Sequence, residues 1–398
     1  MKIFMKKIIY MVLVLLVTNI SAQELSGYLS LENRVFPENG LYNNQKHFAF
    51  SFSAKPELYY EIPNTSQSII FTPFLRVDNI DENRTHFDIR ELYWQTYTEN
   101  LEIRIGIRQV FWGVTESSHL VDIINQSDLV EDLDGELKLG QPMVNLAWVN
   151  DWGTLDFFIL PYFRERTFTG VDGRLRFPIE IDDGATLFEN SDKEKHIDFA
   201  IRYVHTIGYV DLGLSYFRGT GREPMFAVSS EGNEMKMIPE YDIINQIGTD
   251  LQLTTEGWLW KLESIIRERN DNSFFAVTAG FEYTFSNIND TGLDVGVIAE
   301  YLFDDRDQQR FAPNPFDNHT FLGTRFAFND IQSTELLAGI VFSNEGKGGF
   351  INVEGSRRFG DNFKLNLKLR GFINPSTDAF FYNFRKDGYS QLELEWYF

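Results

Sequence analysis

The sequence has no cysteine in its 398 residues. This excludes a disulfide framework, a thiolate zinc site, a lipid-modified cysteine anchor and a cysteine nucleophile. Positive charge is also scarce: 36 Lys and Arg stand against 58 Asp and Glu, for a formal charge of −22. Binding to phosphate backbones needs clustered cations, so a nucleic-acid partner is excluded. The six histidines, His47, His86, His119, His196, His205 and His319, form no HExxH pair. No serine sits in a G-x-S-x-G elbow, and P-loop and dinucleotide fingerprints are missing. Ser118 and His119 are neighbours in sequence only, which does not make a nucleophile and its base. The chain therefore reads as a non-enzyme with no cofactor and no metal.

Long apolar runs are lacking too. Past residue 22 nothing approaches the roughly 20 apolar residues of a membrane helix. Yet 43% of the chain is hydrophobic and 15% aromatic, with a mean hydropathy of −0.26. Apolar residues spread along the full length argue against disorder.

The first 22 residues differ from the rest. Lys2, Lys6 and Lys7 precede an apolar stretch from Ile8 to Val17, and Ile20-Ser21-Ala22 ends it with small residues. This is the layout of a secretory signal peptide, cleaved after Ala22 and too short to span a bilayer. Residues 23–398 then form one domain.

Within that domain the dominant period is two. Phe275, Val277, Ala279, Phe281, Tyr283 and Phe285 share one face, and Ala276, Thr278, Gly280, Glu282 and Thr284 the other. Phe363, Leu365, Leu367 and Leu369 alternate with Lys364, Asn366, Lys368 and Arg370. Eighteen candidate strands follow, near 25–35, 47–61, 68–78, 86–97, 100–111, 141–149, 152–164, 195–205, 208–218, 239–254, 258–268, 273–286, 292–303, 321–329, 335–343, 349–358, 362–372 and 387–398. Many reach about ten residues, the length of a tilted membrane strand. Aromatic pairs such as Tyr93 with Trp94, Trp258 with Trp260, and Trp396 with Tyr397 mark strand ends, as a membrane interface favours.

Connector lengths alternate. Those beginning near 36, 79, 112, 165, 219 and 304 are long and polar. Asn150-Asp151, Thr206-Ile207, Thr255-Glu256-Gly257 and Gly360-Asp361 are tight. Long external loops and short periplasmic turns characterise outer-membrane barrels, and an even strand count puts both termini on the short-turn side. Leu392, Leu394, Trp396 and Phe398 share one face of a last strand that ends in Phe, as expected of a strand read by the barrel-assembly machinery. The fold class is all-β: a transmembrane antiparallel up-and-down barrel of about 16–18 strands.

The stretch Leu101 to Asp128, preceded by Phe87-Asp88-Ile89-Arg90-Glu91-Leu92-Tyr93-Trp94, is the most distinctive. Through Gly106, Arg108-Gln109, Trp112-Gly113, Glu116-Ser117 and Asp122-Ile123-Ile124-Asn125 to Asp128, it resembles a porin-like outer-membrane family related to alginate-export channels. The likeness covers about residues 86–150. It departs from the expected Asn-Pro at Asn125-Gln126-Ser127-Asp128. It implies a channel architecture without a particular solute.

The residues themselves point the same way. Arg104 and Arg108 face away from Ile103, Ile105 and Ile107, so they point into the lumen if the isoleucines meet lipid. Leu120, Val121, Ile123 and Ile124 have the spacing of a short helical face in a loop that otherwise needs no aliphatics. The loop of about 113–140 is therefore expected to fold inward, with Glu116, Asp122 and Asp128 confronting Arg104 and Arg108 across a constriction. Inward positions carry Arg202, Lys261, Arg325, Lys364, Lys368 and Arg370, balanced by Asp88, Glu102, Asp198, Asp211, Glu263, Glu282, Asp294 and Glu300. Lys364, Lys368 and Arg370 on one strand form the best anion track. Gly106, Gly213 and Gly280 on the same face leave room for water. The acidic runs Glu131–Glu136 and Asp304–Asp307 miss calcium-loop spacing and read as solvated loop charge meeting lipopolysaccharide.

A barrel of this size is wide enough for an aqueous bore. The reading is an outer-membrane porin-like channel for passive diffusion of small hydrophilic solutes. The alternative is a non-conducting binding or adhesion barrel acting through its external loops. Expected partners are outer-membrane lipid and lipopolysaccharide, the assembly machinery and small solutes, with a homo-oligomer compatible.

Overall fold

The computed structural model describes residues 23–231 and 234–398. The signal peptide read over residues 1–22 lies outside the described residues. Eighteen strands form one sheet: Gln23–Val35, Phe48–Glu61, Gln67–Asp78, His86–Tyr97, Leu101–Arg108, Gln141–Asn150, Gly153–Leu160, Asp198–Ile207, Val210–Thr220, Ile243–Thr255, Trp258–Arg269, Asn272–Phe285, Asp294–Asp304, Asn318–Ala327, Glu335–Ser343, Gly349–Phe359, Phe363–Ile373 and Tyr389–Tyr397. Each candidate strand of the sequence has its counterpart. Neighbours pair antiparallel, and Gln23–Val35 pairs with both Phe48–Glu61 and Tyr389–Tyr397. That last pairing closes the barrel and leaves its sheet no edge amides to satisfy.

Several boundaries shift by two to four residues, as where the strand near 152–164 ends at Leu160. Residues 239–241, expected to open the strand near 239–254, instead end Glu234–Tyr241, which pairs with Met225–Glu231 in a separate hairpin. That hairpin also receives Glu180–Ile181 and Leu187–Phe188 in parallel. Gly208-Tyr209, not Thr206-Ile207, forms the tight turn before Val210, because Gly208 takes a φ of 63°.

Burial is inverted relative to a soluble protein. Along Gln23–Val35, Leu31 is 63% exposed while Ser30, Glu32 and Arg34 are buried. Phe50, Phe157, Phe199, Ile247 and Leu394 are exposed, whereas Ser53, Asp198, Gln246, Glu263 and Glu395 are buried. Only a barrel with an apolar outside and a polar inside produces this pattern, and hydrocarbon is the solvent that suits such an exterior. Rings gather at the short turns: Trp148 with Trp152 at 5.3 Å, Trp258 with Tyr283 at 4.6 Å, and Trp396 with Phe398 at 5.7 Å between centroids.

The interior is not polar throughout. Met143, Phe158, Leu160, Phe217, Ile265 and Phe274 occupy inward positions toward the long connectors and are buried. Alternation predicts polar residues at these positions; they pack instead against Val121, Ile123 and Ile124 from the long connector 109–140.

The inward glycines have a different role from the one expected. A Cβ on Gly106 would lie 2.2 Å from the Leu92 carbonyl oxygen, and one on Gly280 would lie 2.1 Å from that of Ala299. These positions are glycine because neighbouring backbones come close, and at Gly106 also because φ is 141°. At Gly213 the space is taken by the Asp250 carboxylate. Pro73, which has no N–H to donate, coincides with a register shift against His86–Tyr97. That shift leaves Arg90 an extra residue in the ladder, and its side chain is buried.

Candidate functional site

The connector between Leu101–Arg108 and Gln141–Asn150 touches side chains from strands all around the ring, which it can do only from within the barrel. Its first anchor is Glu263 on Trp258–Arg269. Glu263 Oε1 accepts from the Val114 amide (2.7 Å), the Thr115 amide (3.0 Å) and the Thr115 hydroxyl (2.8 Å), and Oε2 accepts from the Val121 amide (3.2 Å). Glu300, on Asp294–Asp304, accepts from the Glu116 and Ser117 amides, each at 2.8 Å, and from the Ser117 hydroxyl at 2.6 Å. A turn has several amides aimed one way, and a buried carboxylate is the acceptor that satisfies them together.

The second anchor lies on the other wall. Glu131 pairs with Arg76 at 2.8 Å, and Arg76 shares Glu32 with Arg34 and Arg84 at 2.9–3.0 Å. Asp128 meets Arg90 at 2.5 Å. Asp132 meets Lys368 at 2.5 Å, and Asp134 meets Arg370 at 2.6 Å. The whole segment is thereby tied to the strands on either side of the closing seam.

These partners differ from those expected. Glu116 faces Arg325 at 2.6 Å, Asp122 faces Lys138 at 3.1 Å and Asp128 faces Arg90, so none of the three pairs with Arg104 or Arg108. Arg104 contacts Glu102, and both it and Arg108 donate to Asn145 Oδ1. Arg108 also lies 5.8 Å from the Tyr93 ring centroid. Arg202 pairs with Asp250 at 2.8 Å. Lys364 lies on the same inward face as Lys368 and Arg370, four residues before Lys368.

Three expectations are corrected. Lys368 and Arg370 are neutralised by Asp132 and Asp134, so they are not a free anion track. The run Glu131–Glu136 is not solvated throughout, since Glu131 and Asp132 are buried. Nor is Asp304, which chelates Arg306 at 2.8 Å. Leu120, Val121, Ile123 and Ile124 do not form a helical face: residues 109–140 hold no helix, only turns, bends and isolated bridges from Ser127 to Lys138 and from Asp128 to Thr167. The aliphatics are buried because the barrel wall offers them an apolar patch.

His119, in this segment, lies between Glu136 (3.1 Å from Nε2) and Glu263 (3.7 Å from Nδ1). Burial alone would lower its pKa; hydrogen bonds and charge from the two carboxylates outweigh that and hold it up at about 10. Burial would raise Asp132, but Lys368, Arg370 and Arg34 hold it well below the usual range. The anchoring roles of Glu263, Glu300, Arg76 and Arg90 were missed in the sequence. The available signal was charge at inward positions next to long connectors.

Outside this segment the mouth holds a cavity of about 1200 Å³. Loops 161–197, 221–242, 305–317 and 374–388 contribute to its lining.

No protein-family model matches the sequence, and no curated protein matches it; the likeness to alginate-export channels gains no support there. Among solved structures the chain is similar to mutants of the porin of Rhodopseudomonas blastica. A triple mutant aligns at 10% identity over 94% of this chain and 100% of that chain, with a TM-score of 0.45. A second aligns at 11% identity with the same coverage and a TM-score of 0.45, and a third at 10% and 0.44.

Proposed function

We propose that this chain is a porin-like channel of a Gram-negative outer membrane that lets small hydrophilic solutes diffuse passively, with the segment of about 113–140 narrowing its bore. The observation that carries this reading is the inverted polarity of a closed eighteen-stranded barrel. Leu31 faces out while Glu32 and Arg34 face in, and the pattern repeats around the ring. Eighteen strands are more than side chains alone fill, and the inward pair Arg325–Glu282, with Arg325 part-exposed, is an arrangement that lines water. Hydrogen bonds and ion pairs at both walls hold the segment, as a fixed constriction requires.

The test is single-channel recording of refolded protein in a planar bilayer, with a reversal potential under a salt gradient. Steady openings support an aqueous pore. A folded, inserted protein that passes no current contradicts it. The dense tethering of residues 109–140 favours one other reading, a closed barrel that works through its external loops, and the same null current would select it.

A further inference from the structure

The mouth cavity departs from an aqueous lumen in one respect. Nine phenylalanines among the described residues line it, with no tryptophan and, of the tyrosines, Tyr389 alone. Six of them form a continuous arc. Phe168 lies 5.8 Å from Phe226, which lies 5.8 Å from Phe177, which lies 6.0 Å from Phe380. From there Phe381 is 5.6 Å away and stacks on Phe350 at 5.5 Å. Phenylalanine offers no polar edge, so the arc presents apolar area alone. Its rings are half-buried except Phe168, and an aqueous pore has no structural need for them at its mouth.

Arg166 stands at one end of the arc, two residues before Phe168. Other arginines on this wall are committed: Arg222 to Asp198 at 3.0 Å, Arg267 to Glu223 at 2.7 Å, and Arg306 to Asp304 at 2.8 Å and Glu223 at 3.0 Å. Arg166 donates from Nε to Gln126 Oε1 at 3.2 Å. Among the described residues no carboxylate lies within 4.0 Å of it. On the opposite wall the carboxylates are already matched: Asp134 and Glu354 by Arg370 at 2.6 and 2.7 Å, and Asp317 by Lys347 at 3.0 Å. Asp378 is exposed and screened by water. The nearest negative charge, Glu223, is shared with Arg267 and Arg306, so the cavity offers an incompletely balanced guanidinium beside a large apolar surface, and a fixed cation of this kind gains most from a planar, bidentate anion.

We propose that the cavity binds organic carboxylates with an aromatic or aliphatic body, the carboxylate on Arg166 and the body along the arc from Phe168 through Phe226 and Phe177. This rests on the channel reading for its purpose, since it names the solute class that the mouth concentrates, but the binding itself needs no ion flow.

The test is titration calorimetry of the folded, detergent-solubilised protein with 3-phenylpropionate, compared with 3-phenylpropylammonium and with acetate. The expected result is saturable binding of 3-phenylpropionate, favoured about tenfold or more over either comparator, as one charge-assisted contact supplies. Arg166→Gln abolishes the preference for the carboxylate, and Phe226→Ala weakens both phenyl ligands several-fold. Equal affinity for the two phenyl ligands, a preference that survives Arg166→Gln, or no binding to protein shown to be folded overturns the proposal. Binding without conductance removes the channel reading and keeps the site; conductance without binding does the reverse.

Discussion

Glu263 and Thr115 tie the barrel wall to the inner segment: a single carboxylate oxygen accepts both the amide (3.0 Å) and the hydroxyl (2.8 Å) of Thr115. With Val114 and Val121 on the same carboxylate, Glu263→Ala leaves three amides without an acceptor, while the Thr115 hydroxyl keeps the Ser118 carbonyl oxygen at 2.7 Å. Buried donors lose about 1–3 kcal/mol each when orphaned, and water entering the gap returns part of that, for a net loss of roughly 3 kcal/mol of local anchoring. The expected outcome is faster hydrogen exchange and proteolysis within 113–121 while the barrel stays folded. Unchanged protection there contradicts the anchor.

His119 gives the segment a pH dependence. Its folded pKa, about 10, lies above the unfolded value of about 6.5. The stabilisation is therefore full below about pH 6.5, declines as pH climbs, and is gone above about 10. Protection of residues 113–136 should fall over that window in the native protein and change less in His119→Gln, as measured by exchange at several pH values.

The ion cluster at the closing seam makes a prediction about the other wall. Arg76 is within 3.0 Å of both Glu32 and Glu131, and all three are buried. Removing one partner of a buried pair typically costs about 3–5 kcal/mol. Arg76→Ala should lower the unfolding temperature and free residues 128–136, whereas Lys55→Ala, half-buried beside the exposed Glu57, should do neither. Comparable stability of the two variants would contradict the role given to this cluster.

Gly106 tests the account of backbone approach. At its φ of 141° an added Cβ meets the Leu92 carbonyl oxygen. Strain of this kind costs on the order of 1–3 kcal/mol, so Gly106→Ala should refold more slowly and melt lower. Gly346→Ala, with a φ of 76° and open space around its Cβ, should show a smaller change.

Strand existence was legible because alternation at period two survives wherever one face meets lipid and the other water, as in Phe363–Ile373. It failed where the inward face is dry: Phe158, Phe217 and Phe274 read as noise in the pattern until Val121 and Ile124 are seen against the wall. Pairing partners were beyond reach for a different reason. Asp132 and Lys368 are 236 residues apart, and many carboxylates in the sequence would satisfy that lysine equally well. An inward course for residues 113–140 was expected from their aliphatics. Their conformation was not, because side-chain and wall contacts set it rather than helical periodicity.

The most direct test of the central claim uses the absence of native cysteine. Ser118→Cys places a single thiol on the segment, beside the mouth cavity. Current through single channels of this variant should fall in a discrete step when a bulky thiol reagent is added, and the native protein should not respond. If labelling is confirmed and current is unchanged, residues 113–140 do not lie across the path of the ions.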